Sequence, residues 1–253
     1  MEKSTALIVL RSEEGRCLIG RGVAALPQVQ ARRKNGRMVI VGGSTNRHVV
    51  WSLLGEDPGL ATFAIGWICE GQLGETPTEG RGAGAFLFDQ GEVGRGWPGP
   101  LLERFTTGDI YIKGANALDS QGNAAILLGS PVGGTIAVAL GILRARGGEL
   151  IVPVSLTKTI PSVAAACGLL GQGAIQRVMG TPVGYMPIMA GSATLVTEVT
   201  ALKILYQVEA TAVAAGGVGD CQGSIVLQIQ GSNAHVQEAW NGVLAIREML
   251  TIK

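Results

Sequence analysis

A chain of 253 residues with 47% hydrophobic and 15% charged residues carries enough apolar surface for a substantial core, which predicts one large α/β domain or one domain with an appended module. That balance argues against long disordered segments, and a net charge of +1 argues against a dedicated nucleic-acid binder. The 39 glycines close apolar runs without a triplet repeat, so a fibrous chain is excluded.

In chain order, Thr5 to Leu10 reads as a first strand. Its apolar run, Ala6 to Leu10, is too short for a signal peptide and no later stretch reads as a membrane span, so a cytoplasmic location is expected. Gly20 to Val23 predict a turn into a short helix around Leu26 to Lys34, with Pro27 in its first turn. The basic residues Arg32, Arg33, Lys34 and Arg37 make either a solvated helix end or a contact for a phosphate or partner.

Met38 to Val41 is a buried strand, followed by Gly42, Gly43, Ser44, Thr45 and Asn46 and a helix-like run from Arg47 to Leu54. Glycines after a strand let the backbone approach an anion, and the helix beyond points N–H groups at it. Ser44, Thr45 and Asn46 add hydrogen-bonding groups; they are equally the residues of an ordinary capping turn. The lysine of a P-loop is absent.

Between Gly55 and Gly108, Phe63 to Ile68 and Ala83 to Phe88 suggest strands and Gly91 to Pro100 a loop. Glu70, Glu75 and Glu79 fall in a Gly-, Thr- and Pro-rich segment, expected as a loop over the sheet edge with solvated carboxylates. Trp97 is either a lid or contact aromatic or a half-buried surface tryptophan.

Asp109 to Ser155 organises the chain. Ile110, Tyr111 and Ile112 form a short buried strand that delivers a polar loop carrying Gly114, Asn116, Asp119 and Asn123. A second turn, with Gly129, Ser130, Gly133, Gly134 and Thr135, opens a helix whose Ile136, Leu140 and Leu143 share a face, and Leu150 to Val154 is the next strand. A strand, loop, helix and strand imply a parallel sheet, with ligands outside the carboxyl ends of its strands. Lys158, just past that strand, is either a point charge for a phosphate or carboxylate or a plain surface lysine. Ser162 to Leu170 predicts a small-residue helix, and Thr181 to Ile188 an extended segment interrupted by Pro182 and Pro187.

The residues Gly114-Ala115-Asn116-Ala117, with Asp119, Gly122 and Asn123 behind them, then Gly129-Ser130, a helix and Ile151-Val152-Pro153-Val154, resemble the NagB/RpiA/CoA-transferase-like superfamily. The resemblance implies an open, mainly parallel α/β sheet with helices on both faces and a first ligand loop at Gly42 to Asn46. Its isomerases and CoA transferases make a CoA ester a candidate substrate, with no further cofactor evident, and their catalytic Glu makes one of Glu70, Glu75 and Glu79 a possible nucleophile, with Glu70, in the dipeptide Glu70-Gly71, the weak catalytic candidate. Asn116 stands where the family's Asp usually acts as acid or base. An amide has no proton to exchange near neutral pH, so Asn116 is expected to orient a ligand by hydrogen bonds.

Near Gly191 the composition changes, which divides the chain into residues 1–190, the α/β ligand-binding domain, and 191–253, a β-α-β-β-α segment that is either ferredoxin-like or an extension of the main domain. Its elements are expected at Ala193 to Val196, Glu198 to Gln207, Glu209 to Ala214, Ser224 to Gln230 and Ala234 to Leu250. The turn from Gly216 to Asp220 is a hairpin closure or a ligand-facing loop. Glu198 opens a helix, where the dipole stabilises a carboxylate; it and Asp119 are weak catalytic candidates. His48 and His235 fit no metal or triad pattern, and Cys17, Cys69, Cys167 and Cys221, dispersed, read as reduced core residues, so no metal site is expected.

Two classes of function follow. One is an isomerase or acyl/CoA transferase acting on a small anionic metabolite, such as a phosphorylated sugar, CoA ester or carboxylate. The other is a non-catalytic ligand-binding or regulatory protein on the same fold. A low charged fraction with a high apolar fraction predicts self-association, as a dimer, with neither nucleic acid nor membrane as partner.

Overall fold

The structure, a computed structural model, describes residues 3–251, apart from the side chain of Thr78. Its elements are β1 (Lys3–Leu10), α1 (Ser12–Ala25), α2 (Pro27–Lys34), β2 (Arg37–Ile40), α3 (Ser44–Leu54), α4 (Leu60–Phe63), β3 (Gly66–Cys69), β4 (Gln72–Glu75), β5 (Ala85–Asp89), β6 (Glu92–Gly96), α5 (Gly99–Leu102) and β7 (Ile110–Ile112). There follow β8 (Ala117–Leu118), β9 (Ala124–Leu128), α6 (Gly134–Arg146), β10 (Glu149–Pro153), α7 (Val163–Ala166), β11 (Gly184–Ile188), β12 (Thr194–Val196), α8 (Glu198–Tyr206), β13 (Glu209–Gly216), β14 (Ser224–Ser232) and α9 (Asn233–Thr251).

The α/β character holds, and the sheet is mixed. Six strands run in the order β12-β10-β7-β2-β5-β6. The neighbours β12, β10, β7 and β2 pair in parallel, whereas β5 pairs antiparallel to β2 and closes a hairpin with β6. That hairpin stands where a loop is expected from residue 91 onward; Gln90 and Gly91, with φ of 52° and 93°, make the two-residue turn that lets the chain reverse.

Alternation of side chains along β2 and β7 feeds two cores. Met38, Ile40, Ile110 and Ile112 belong to a core shared with α1, α3 and α8 on one face, while Val39, Val41 and Tyr111 belong to one shared with α5 and α6 on the other. All are buried. Burying each such side chain stabilises the fold by roughly 1.5–3 kcal/mol, which is why this short strand can anchor two loops.

Gly20 and Gly22 lie inside α1, correcting the expected turn. The reason is close helix packing: an added Cβ would lie 2.5 Å from the His48 Cβ of α3 at Gly20, and 2.7 Å from the Ala201 Cβ of α8 at Gly22. The segment Phe63 to Ile68 is likewise not one strand, since α4 ends at Phe63 before β3 begins, and the helix expected over 162–170 is only the short α7. Of the cysteines expected in the core, Cys17 is buried, Cys69 is exposed and Cys167 and Cys221 lie between.

The boundary expected at 190/191 is crossed twice. β12 joins the six-stranded sheet, and β13 and β14 form a three-stranded antiparallel sheet with the N-terminal β1, in the order β1-β14-β13. Arg247 of α9 pairs with the buried Glu14 of α1 at 2.9 Å, a further tie between the chain ends. Among the described residues no helix is long and apolar enough to cross a membrane.

Candidate functional site

Because β2, β7 and β10 are parallel, the loops at their carboxyl ends meet on one side of the sheet. There the structure holds a cavity of about 560 Å³. Gly42 to Asn46 follow β2, Lys113 to Asn116 follow β7, Gly129 to Thr135 follow β9, and Lys158 lies beyond β10. The antiparallel hairpin β3–β4 supplies another wall through Trp67, Ile68 and Glu75, and Trp97, more than half exposed, lies at the rim.

The candidate residues separate cleanly. Gly42, Gly43, Ser44, Thr45, Asn46, Gly114, Asn116, Gly129, Ser130, Gly133, Gly134, Thr135 and Lys158 all line this cavity, whereas Asp119, Glu70 and Glu198 do not. Asp119 is buried and locks its own loop. One oxygen accepts from the N–H groups of Gln121 and Asn123, each at 3.0 Å, and the other from the N–H of Val163 at 3.0 Å. The Val163 N–H, with Asn123 behind it, holds this carboxyl below the usual Asp range. Glu198 is also buried; it accepts from the Ser155 hydroxyl at 2.5 Å and the Leu156 N–H at 2.9 Å, and burial pushes its pKa up. It braces the end of β10 from below. Glu70 sits exposed at the tip of the β3–β4 hairpin with φ of 51°.

Two helices open onto the cavity, α3 and α6, and neither has a side-chain cap. Their first-turn N–H groups keep the partial positive charge of a helix start. Gly42 serves a different purpose from the one expected of it. A Cβ there would lie 2.2 Å from the Phe63 carbonyl oxygen, so a backbone crossing requires the glycine. Asn46 ties two strand ends together, its amide donating to Val41 O at 2.7 Å and Ile112 O at 3.3 Å. Its Oδ1 is buried without a partner, as is Thr45 Oγ1. On the far side, the Tyr111 hydroxyl donates to Thr135 O at 2.9 Å and fixes the start of α6 to β7; burial raises its pKa well above the usual tyrosine value.

The sequence reasoning missed Lys113. It is half-buried on the cavity wall, and among the described residues its ammonium makes no hydrogen bond or ion pair. Burial lowers its pKa to about 8. Lys158 donates to Ala115 O at 2.6 Å and is lowered to about 8 by burial, with repulsion from Arg16 and Lys113 added. The signal for Lys113 was its position: a lysine placed directly after a fully buried strand has nowhere to snorkel except into the space at the sheet end. Glu75, expected with Glu70 and Glu79 as a solvated loop carboxylate, forms an ion pair at 3.0 Å on the same wall with Arg81, which was missed, and Glu75 Oε1 is seated against Gly129. Hence three cations, Lys113, Lys158 and Arg81, face one carboxylate, Glu75.

Asn116 is exposed, and its Oδ1 accepts from the Leu127 N–H at 3.1 Å. His48 lies outside the cavity, buried, with Nε2 at 2.9 Å from Glu13. Among the described residues no three His, Cys, Asp or Glu side chains gather as a metal site would require. No protein-family model matches the chain, and no curated protein or solved structure matches it.

Proposed function

We propose that the cavity binds a small anionic metabolite, a phosphorylated sugar, CoA ester or carboxylate, at the carboxyl ends of β2, β7 and β10. The observation that carries this is the unpartnered ammonium of Lys113 beside Lys158. A half-buried ammonium without a counter-ion, such as that of Lys113, is costly in a folded protein, and a ligand anion removes that cost. The uncapped starts of α3 and α6 support the same sign of ligand.

The reading keeps the resemblance to the NagB/RpiA/CoA-transferase-like superfamily as part of the proposal. In its enzymatic form, isomerase or acyl/CoA transferase, the reading assigns the role of base or acyl acceptor to Glu75, a carboxylate lining the cavity. The alternative, ligand binding or regulation without turnover, is favoured by Asn116, whose amide transfers no proton at neutral pH. A cytoplasmic location and a symmetric dimer belong to the same proposal, the dimer being tested by light scattering at micromolar concentration.

A thermal-shift series over sugar phosphates, CoA esters and carboxylates tests the binding. Anions are expected to raise the melting temperature of the wild type and to lose that effect in a Lys113→Met, Lys158→Met double variant. Equal shifts in both proteins would remove the proposal, and product analysis on the best binder separates turnover from binding alone.

A further inference from the structure

We propose that Lys113 forms a covalent imine with the carbonyl group of a small oxo acid or oxo phosphate held in the cavity. The proposal rests on the anion-binding reading and goes beyond it, because it assigns the two lysines different tasks.

Lys158 is tethered. Its ammonium donates to Ala115 O, on the strand-end loop that also carries Lys113. Lys113 is held only by its backbone, whose N–H donates to Ile151 O at 3.0 Å, and its amine is left without a partner on the cavity wall. The one carboxylate on that wall, Glu75, is already paired with Arg81 and is not the counter-ion of either lysine. A lysine in such surroundings is a nucleophile, since a desolvated ammonium beside another cation gives up its proton readily. Consistent with this, burial lowers Lys113 to about 8, so its neutral amine is far more available near neutral pH than that of a solvated lysine.

The chemistry balances without any further reactant. The ligand's carboxylate or phosphate lies against Lys158 and the start of α3 or α6. The neutral Lys113 amine adds to the carbonyl carbon, forming the N–C bond; the C–O π pair moves onto oxygen, which takes the proton released from nitrogen. The resulting carbinolamine loses its hydroxyl as water, using one proton from the Lys158 ammonium, and leaves a protonated imine on Lys113. Solvent then reprotonates Lys158.

Borohydride trapping tests it on the full chain. Pyruvate and glycolaldehyde phosphate, one probe for each anion, are incubated separately with the protein with and without sodium cyanoborohydride, and the chain's six lysines are compared by peptide mass mapping. The expected result is a reductant-dependent adduct, of probe mass less one oxygen, on Lys113 at a level on the order of tenfold above exposed Lys203, with at least one probe. It should vanish in Lys113→Arg while that variant keeps its melting transition. Lactate and inorganic phosphate, which cannot form imines, serve as parallel thermal-shift ligands. If they raise the melting temperature while no adduct forms on Lys113, or adducts spread evenly over the surface lysines, the imine is overturned and the anion site stands. If they shift nothing and no adduct forms, both fall.

Discussion

Lys113 and Asp119 stand on either side of the short strand β8, in the stretch of chain that leaves β7, and they are treated in opposite ways. Both oxygens of Asp119 are taken by N–H groups from its own loop and from the start of α7. The ammonium of Lys113 has no hydrogen-bond partner among the described residues, although the same backbone carries it. A buried polar group whose capacity is filled by the protein holds the scaffold in place. One whose capacity is left open is free to take up water or a ligand. Glu198 repeats the first case at the end of β10 and Asn46 Oδ1 the second at the end of β2.

Substitution on the filled side should be the more damaging. Asp119→Ala leaves the N–H groups of Gln121, Asn123 and Val163 without an acceptor, and is expected to lower the melting temperature more than substitution of Lys113, Lys158 or Asn116. A transition matching wild type by circular dichroism would show that this carboxylate does not hold the loop.

Lys113→Met should do the reverse. Thermal stability is expected to stay level or rise, since an unpaired cation leaves a half-buried site, while affinity for a phosphate-bearing ligand falls about tenfold, near 1.4 kcal/mol. Calorimetric titration giving an unchanged dissociation constant would collapse the distinction between Lys113 and Asp119.

The pH dependence sharpens the contrast. In the folded chain Lys113 and Lys158 are each lowered to about 8 from 10.5, so between these values the unfolded chain binds more protons than the folded one. Stability from these groups should therefore rise as pH increases from about 8 to 10.5, with the penalty fully present below 8. Anion affinity should fall over the same rise. Urea denaturation of wild type beside the Lys113→Met, Lys158→Met variant isolates the effect, and parallel pH curves for the two proteins would refute it.

The smallest effect is expected at Asn116. It lines the cavity, but its side chain is exposed and accepts from the Leu127 N–H, so Asn116→Ala should cost about 0.5–1.5 kcal/mol of stability and little affinity. A loss of binding as large as that of Lys113→Met, measured by the same titration, would move Asn116 from the loop's support into the ligand's contacts.

Local pattern made much of this molecule legible in advance. The apolar runs that became β2, β7, β10 and β14, and the amphipathic stripe of α9, were readable because alternation and helical period depend only on neighbours in sequence. So were the glycine-rich ends of strands that line the cavity, since turn chemistry is local too. Three matters were decided by tertiary structure. Gly20 and Gly22, turn formers by composition, are helical because α3 and α8 press against them. β1 and β14, more than two hundred residues apart, share a sheet, and no local pattern records a partner at that distance. The roles of Lys113, Asp119 and Glu198 depended on which polar atoms found partners across the fold. Residue type states how many hydrogen bonds or charges a side chain offers; only the packed chain determines how many remain open.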